Sequence, residues 1–341
     1  MNKEWQLFLS DRLGAISPPT SIDLVLPISG DIGENTVCPI SGFEILSVSG
    51  NDAESFLQGQ STCDISKIGD TSFSPGAFCD PKGRVLATFW ITRRGDGFRL
   101  VIASDLMDTI QKRLQMYVLR SNVTLQPVVD WVLMGASGCQ VLPAITAMGL
   151  STPAGENLAS HDVETSILYL KGQPDRFLIM AKPDRAREVW STLCDQYVFK
   201  QGTSSYWTLW EMNNGIVQVT ASFSGEYTPQ MLNMDLTGGI SFEKGCYTGQ
   251  EVIARTHYLG KPKRRMFLAE CSSNTKLDDG VKIVPGEEGA PVGVVVSSAT
   301  TSQGGYLLAV LKTDALQENL PNLLLASGEP INLLNLPYTL E

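Results

Sequence analysis

The residue with the most reactive setting in this sequence is Cys246, in the run Lys-Gly-Cys-Tyr-Thr-Gly-Gln-Glu at residues 244–251. Thr248 and Glu251 have the spacing of a capping box, in which each side chain bonds the other residue's backbone amide as a helix begins. We expect Gly260 to end that helix in the left-handed conformation. Cys246 would then lie two residues before a helix start, where free amides and the helix dipole stabilise a thiolate.

Two neighbours strengthen this interpretation of Cys246. Lys244 supplies a cation, and a cation beside a helix start lowers the pKa of a thiol. Gly245 permits close approach of another backbone. The residues therefore predict a reactive thiolate at Cys246, supported by Lys244. The alternative is that Cys246 is a small buried hydrophobic residue, as most free cysteines are.

The elements that must position this segment include a weak internal repeat, a β-hairpin followed by a helix. Strands are predicted at residues 85–92, 98–103, 166–170 and 177–181. A helix with one apolar stripe follows the first pair over residues 104–118, and Pro183 opens a helix after the second pair, a position that suits proline. The repeat predicts two related α+β subdomains, with helices packed on antiparallel sheets.

A different pattern begins near Met266, where short β-type runs alternate with Gly, Asp and Asn turns. The runs lie at residues 266–270, 281–284, 292–298, 306–311 and 331–334. Helical periodicity is confined to residues 314–319. Short strands at this spacing predict a small C-terminal barrel or sandwich.

Composition excludes several classes of function. The 341 residues are 43% hydrophobic and 18% charged, enough to bury two or three cores. A net charge of −10 disfavours broad nucleic-acid binding, which needs a basic surface. The seven cysteines include no C-x-x-C pair and there are two histidines, so we expect free thiols and no metal site. No apolar run approaches the ~18 residues of a membrane span, and a cytoplasmic location is the default expectation.

Residues 232–251, together with Ala254 and Arg255, resemble the signature of the YgfZ family. These are folate-binding proteins related to the glycine-cleavage T-protein, an aminomethyltransferase, and they are often described as tRNA-modifying. Weaker likeness lies at residues 57–64 (Leu-Gln-Gly-Gln-Ser-Thr-Cys-Asp), 79–84 (Cys-Asp-Pro-Lys-Gly-Arg) and 336–341. The resemblance covers nearly the whole chain after about Ile40, and the octapeptide at residues 244–251 is its specific part.

The resemblance implies a T-protein-like α+β fold: two related hairpin-and-helix (ferredoxin-like) subdomains and a C-terminal β-barrel around a central folate site. On that basis residues 1–39 form an N-terminal segment that packs on the first subdomain. The first subdomain spans residues 40–135, the second residues 136–262 with the octapeptide, and the barrel residues 263–341.

The resemblance also implies site residues. It makes Cys246 the functional thiol with Lys244 as its companion. Tetrahydrofolate, or a one-carbon derivative of it, would contact Phe43, Trp207, Tyr247, Gln250 and Arg255. Asn213 stands where the T-protein pattern has a carboxylate, which affects pterin orientation. Without the resemblance, Trp207 would be assigned to the core.

One departure from the T-protein pattern distinguishes enzyme classes. The aminomethyltransferase uses an acidic pair after a glycine-rich turn, and Ala87 and Thr88 occupy the matching positions here. No other acid is expected there. Loss of a general acid or base typically lowers a rate about 10²–10⁴-fold, so classical glycine cleavage is disfavoured.

The function implied is support of iron–sulfur cluster assembly or repair in client enzymes such as tRNA methylthiotransferases, through Cys246 and bound tetrahydrofolate. The alternatives are a folate-dependent aminomethyltransferase and a non-catalytic adaptor with a vestigial folate site. We expect a monomer that does not bind nucleic acid directly.

A basic run follows the octapeptide and has two interpretations. Its cations are Lys244, Arg255, Lys261, Lys263, Arg264 and Arg265. They would form an anion-binding rim for the folate glutamate tail or for an acidic partner, or else a solvated linker.

Overall fold

A computed structural model describes residues 2–13, 34–272, 276–286, 289–314 and 322–340. Within these ranges the chain forms two antiparallel-rich sheets and one closed barrel. No helix among them is both long and apolar enough to cross a membrane.

The first sheet has five antiparallel strands in the order β3-β4-β5-β2-β6. They are β2 (Phe43–Ser49), β3 (Phe73–Cys79), β4 (Val85–Arg94), β5 (Gly97–Ala103) and β6 (Thr124–Pro127). Helices α2 (Ala53–Gln60) and α3 (Met107–Val118) belong with this sheet, and we call the sheet and its helices the first unit. The predicted hairpin and helix are confirmed, since α3 buries Ile110, Leu114 and Val118 on one stripe.

The second sheet has six strands in the order β11-β1-β7-β10-β9-β8. They are β1 (Thr36–Pro39), β7 (Val132–Ser137), β8 (Ala159–His161), β9 (Thr165–Leu170), β10 (Arg176–Ala181) and β11 (Lys200–Gln201). Its helices are α4 (Val141–Ala147), α5 (Pro183–Asp195) and α6 (Ser204–Asn213), and this sheet with its helices is the second unit. The predicted second hairpin is present as β9 and β10, and Pro183 is the first residue of α5. The predicted subdomain boundary after residue 135 falls within β7.

The N-terminal helix α1 (Lys3–Leu13) packs on the second unit, so the prediction that it packs on the first is wrong. The buried ring of Trp5 meets Trp190 of α5 edge-on, with ring centroids 5.8 Å apart. Arg12 forms an ion pair with Asp195 at the end of α5. Trp5 and Leu9 are the buried residues of α1, and the sequence of the helix does not reveal which sheet they pack on.

The C-terminal region is a closed six-stranded barrel, as predicted. Its strands are β12 (Arg264–Cys271), β13 (Lys282–Pro285), β14 (Gly293–Thr301), β15 (Gly304–Lys312), β16 (Leu323–Leu325) and β17 (Pro330–Leu334). The three-residue strand β16 is the one that the sequence did not predict. The helical periodicity at residues 314–319 lies almost entirely outside the described residues.

Helix α7 (Gln250–Leu259) links the second unit to the barrel. The largest apolar cluster joins residues of the first sheet, α6, the segment before α7 and the barrel into one core. Tyr338 near the C-terminus closes this junction, because its hydroxyl donates to the carbonyl of Gly215 and accepts from Asn233. The octapeptide, whose last two residues begin α7, therefore rests on a continuous packed body.

Candidate functional site

Cys246 is exposed, between residues that are fixed to other parts of the chain. Directly after it, Tyr247 is buried. Two residues before it, the ammonium of Lys244 donates to the carbonyls of Ser61 (2.7 Å) and Cys63 (2.6 Å). The thiol therefore lies at the surface on a segment whose flanks are held in place.

The helix after Cys246 begins differently from the prediction. Its N-cap is Gly249 in the left-handed conformation (φ 86°), and no side chain caps it. The predicted capping box of Thr248 and Glu251 is wrong, as is a left-handed Gly260, which is extended (φ −147°). Cys246 lies three residues before the N-cap.

Close approach of a distant turn explains the conformation of Gly249. A β-carbon on Gly249 would lie 2.5 Å from the carbonyl oxygen of Asp80 and 2.9 Å from the α-carbon of Gly83. The turn at residues 80–83 joins β3 to β4, so the first sheet holds the start of α7. Both this contact and the left-handed backbone angle at position 249 disfavour any residue with a side chain there.

Lys244 is directed toward the Cys63 side of the segment. Its ammonium also lies 5.1 Å from the ring centre of Tyr247. Burial lowers the Lys244 pKa to about 8, against opposing contributions from Cys63 and Asp64. Among the described residues Lys244 has no hydrogen bond to Cys246, so its direct support of that thiol stays a prediction.

The other predicted residues of the octapeptide region have separate surroundings. Tyr247 is buried, its hydroxyl has no partner among the described residues, and burial raises its pKa. The side-chain amide of Gln250 reaches back to the carbonyl of Lys244 at 3.5 Å. Arg255 is exposed on α7.

Phe43 and Trp207 have surroundings of their own. Phe43 is half-buried and lines a cavity of about 240 Å³ together with Trp5 and Trp131. Trp207 of α6 is 2% exposed, and the guanidinium of Arg176 lies 6.0 Å from its ring centre. The folate contacts assigned to these two aromatic residues stay predictions.

A surface cleft of about 510 Å³ adjoins the segment that leads to Cys246. Its walls come from the loop after α2, from β3, from residues 238–243 and from α7. Phe242 and His257 stack face to face with centroids 3.7 Å apart, and Tyr258 meets both rings edge-on. Lys67 and Asp64 lie at its edge. The cleft offers aromatic surface and charges of both signs.

A much smaller cavity, about 20 Å³, lies among Thr88, Trp90, Gln218 and residues 232–237. This is room for about one water molecule. Its residues neighbour those of the cleft in sequence, since Ser74 and Gly238 line the cleft while Pro75 and Thr237 line the cavity.

Beside this cavity lies a buried carboxylate that the sequence did not predict as a site residue. Glu211 of α6 accepts hydrogen bonds from the indole of Trp90 (3.2 Å) and the amide of Gln218 (3.0 Å). The Thr88 hydroxyl donates to the other end of the Gln218 amide at 2.9 Å. An acid is therefore two hydrogen bonds from Thr88, and the expectation that none is available there is wrong.

Burial determines the electrostatics of this network. Burial raises the pKa of Glu211, and the nearby cation of Arg176 lowers it by a smaller amount. Burial also lowers the pKa of Arg176 to about 10. Two guanidinium nitrogens of Arg176 have no hydrogen-bond partner among the described residues. The two charges compensate each other inside the protein.

The structure divides the predicted basic run into two groups. Lys244 and Arg265 are occupied, the latter in a buried ion pair with Asp235. Arg255, Lys261, Lys263 and Arg264 are exposed. Among the described residues, no group of three or more His, Cys, Asp or Glu side chains is arranged to hold a metal ion.

Similarity to known proteins extends over nearly the whole chain. No protein-family profile matches it. A tRNA-modifying protein YgfZ from Colwellia psychrerythraea is 31% identical over 320 residues, which cover 92% of this chain and 97% of the relative. The protein of the same name from Enterobacter sp. (strain 638) is 29% identical and covers 90% of this chain and 94% of its own length.

The similarity in structure concerns the fold. The glycine cleavage aminomethyltransferase T of Bartonella henselae superposes with a TM-score of 0.79, covering 98% of this chain and 96% of that one, at 15% sequence identity. The T-protein-like fold predicted from the resemblance is thereby confirmed. With sequence identity above 30% over almost its full length, the chain belongs to the YgfZ family.

Proposed function

We propose that the chain is a folate-binding protein that supports assembly or repair of iron–sulfur clusters in client enzymes, including tRNA methylthiotransferases, through the thiol of Cys246. The observation that carries the proposal is the exposure of Cys246 between the fixed residues Lys244 and Tyr247. A thiol held in this way is accessible to a partner protein while its position is constrained. The names of the relatives, tRNA-modifying proteins, support a role connected with tRNA modification.

The chemistry of a single thiol limits what Cys246 does. A thiolate is both a nucleophile and a metal ligand. Common iron–sulfur clusters take four cysteine ligands, so one thiol cannot hold a cluster alone. In the proposed role Cys246 acts together with groups of the client enzyme, on a cluster that is shared or in transit.

Folate is the proposed cofactor, and the residues of the cleft fit it better than those of the small cavity. A volume of about 510 Å³ lies within the usual range for small-molecule sites. The stacked rings of Phe242 and His257 suit a planar pterin or aminobenzoyl group. Lys67, whose ammonium lies 3.6 Å from Asp64, would have to exchange that partner to bind a glutamate carboxylate. The cavity of about 20 Å³ does not accommodate a pterin. Bound tetrahydrofolate would supply a one-carbon carrier beside the Cys246 segment.

Complementation tests the role of the thiol. A deletion strain would receive the wild-type gene, Cys246→Ser or Cys139→Ser, and methylthiolated tRNA would be measured by mass spectrometry. Cys139 is the matched control, because it is the other exposed cysteine in the described structure. We expect Cys246→Ser to lose the modification and Cys139→Ser to keep it. Full activity of Cys246→Ser would overturn the proposal and favour a non-catalytic adaptor.

Calorimetric titration with tetrahydrofolate tests the cofactor site. Loss of one stacking ring costs roughly 1–3 kcal/mol, so His257→Ala and Phe242→Ala should each weaken binding roughly 5- to 150-fold. Phe43→Ala and Trp207→Phe serve as comparisons, since the family resemblance assigns folate contact to those positions. Unchanged binding in the cleft variants, with loss in the comparison variants, would move the site to the predicted aromatic residues.

One observation favours a second candidate function, folate-dependent aminomethyl transfer. Glu211 lies two hydrogen bonds from Thr88, where the T-protein pattern has its acids. This candidate predicts measurable transfer of an aminomethyl group to tetrahydrofolate and its loss in Gln218→Leu, which breaks the connection between Thr88 and Glu211. Absence of transfer by the wild-type protein would exclude it.

A further inference from the structure

The segment from Val252 to Arg264 has an unusual charge for this protein. It contains four exposed cations, Arg255, Lys261, Lys263 and Arg264, and no acid, in a chain whose net charge is −10. The strand pairing adds a fifth cation that sequence order hides, because Lys312 of β15 lies opposite Arg264 of β12. Lys312 is also exposed. We call these five residues the basic patch.

The cations of the basic patch are available to a partner. None of the five forms a salt bridge with a carboxylate in the described part of the chain. Arg265, next to the patch in sequence, is instead buried against Asp235. One acid lies close to the patch: Asp314 is exposed, and the amide of the preceding residue, Thr313, donates to the carbonyl of Lys263. Cations clustered at the surface without partners repel one another, and an anionic partner relieves that repulsion.

The basic patch adjoins an exposed apolar pair, Tyr258 and Leu259, which are 66% and 83% exposed. They follow Arg255 by three and four residues on α7, so all three share one helix face. The ring of Tyr258 is oriented by edge-on contacts with His257 and Phe242. An oriented tyrosine beside an aliphatic side chain and cations has the composition of a protein interface, with an apolar centre and a charged rim.

We infer that this face of α7, with the basic patch around it, is a docking surface for an acidic face of a partner protein. The inference rests on the proposed function, in which Cys246 acts on a client enzyme. A protein fits better than RNA, because the net charge of −10 opposes a long polyanion. Leu259, the more exposed member of the apolar pair, offers no surface on which a base can stack.

The distance from the docking surface to the thiol agrees with this role. Helix α7 has 10 residues and is therefore about 15 Å long, and Cys246 precedes it by four residues. A protein interface of standard size covers roughly 800 Å² on each partner, which is about 30 Å across. A footprint of that size centred on Tyr258 reaches about 15 Å, as far as the start of α7, so a partner seated there would lie next to the Cys246 segment.

The test is the affinity for a purified iron–sulfur tRNA methylthiotransferase, measured by biolayer interferometry across a salt series. Two variants are compared with the wild type. One is Leu259→Ser, and the other, the patch reversal, combines Lys261→Glu, Lys263→Glu and Arg264→Glu. Matched controls in the second unit are Val163→Ser and the reversal of Lys3, Lys171 and Lys182 to Glu, which changes net charge equally. We expect the patch reversal to weaken binding at least tenfold and to abolish its salt dependence, while the controls bind like the wild type.

Several outcomes would overturn the inference. These are absence of binding by the wild-type protein, equal weakening by the control reversal, and loss only of tRNA binding in a parallel titration with unmodified tRNA. Loss only of affinity for tetrahydrofolate polyglutamate would assign the basic patch to the folate tail. The variant Cys246→Ser should bind the enzyme as tightly as the wild type. If Cys246→Ser retained tRNA modification in cells, that result would contradict the proposed function, and the docking measurement would still stand.

Discussion

The ammonium of Lys244 lies 2.6 Å from the carbonyl oxygen of Cys63, which joins the octapeptide to the loop after α2. The same ammonium donates to the carbonyl of Ser61 and lies over the ring of Tyr247. Lys244 therefore has a mechanical role: it fixes one flank of the Cys246 segment. It does so at an electrostatic cost, because its charge is mostly buried.

That cost gives a pH dependence that isolates Lys244. Its pKa is about 8 in the folded protein and about 10.5 when unfolded, so the unfolded state binds more protons between these values and stability rises with pH. Relative to Lys244→Met, the wild type should gain about 2 kcal/mol between about pH 7 and pH 9.5. Urea unfolding of both proteins at the two pH values measures this difference. A difference independent of pH would contradict the buried charge.

Thiol labelling should separate the seven cysteines into two groups. Cys246 and Cys139 are exposed, whereas Cys63 is buried with its pKa raised to about 11, which leaves roughly 10⁻³ of it as thiolate at pH 8. Burial raises the pKa of Cys38 and Cys79 further. Mass spectrometry after brief alkylation of the native protein should find label on Cys246 and Cys139 first. Label on Cys63 at the same rate would contradict the packing around Lys244.

The sequence predicted those elements whose signals are local. Helix α5 buries Ala186, Val189, Trp190 and Leu193, which follow the 3.6-residue period of the helix itself. The longer barrel strands likewise contain enough β-type residues to be recognised. Strand β16 has three residues and exists because β13 and β17 pair with it, so its own sequence carries little signal.

Features made by residues far apart in sequence could not be predicted. Trp90 and Glu211 are 121 residues apart, and no spacing rule connects them. The start of α7 illustrates a local rule overruled by a distant contact: the residue types at Thr248 and Glu251 favour a capping box, but the turn containing Asp80 packs against Gly249 and makes it the N-cap.

The compensation between Glu211 and Arg176 predicts a large loss of stability when one charge is removed. Glu211→Gln keeps the size of the side chain but removes the larger of the two opposite charges near the buried Arg176, leaving only Asp175. Removing one partner of such a pair typically costs roughly 3–5 kcal/mol. Urea unfolding of Glu211→Gln, Arg176→Met and the double variant measures the coupling. We expect the double variant to lose less stability than the sum of the single variants, and additive losses would show that the two charges do not interact.

Gly245 and Gly249, one before and one after Cys246, should respond differently to replacement by alanine. At Gly249 a β-carbon meets the Asp80 carbonyl at 2.5 Å and the backbone is left-handed, so Gly249→Ala should cost roughly 1–3 kcal/mol and displace the segment. At Gly245 nothing lies within 4 Å of an added β-carbon, contrary to the predicted close approach, so Gly245→Ala should change stability by less than about 0.5 kcal/mol.

Both variants retain the thiol, which makes the pair a test of its placement. If the position of Cys246 matters for function, Gly249→Ala should reduce tRNA methylthiolation in the deletion strain at a temperature where it remains folded, and Gly245→Ala should not. Circular dichroism of the purified variants establishes that temperature. Equal modification by the two variants would mean that the thiol works without the fixed start of α7, and a greater loss in Gly245→Ala would reverse the assignment of the constrained glycine.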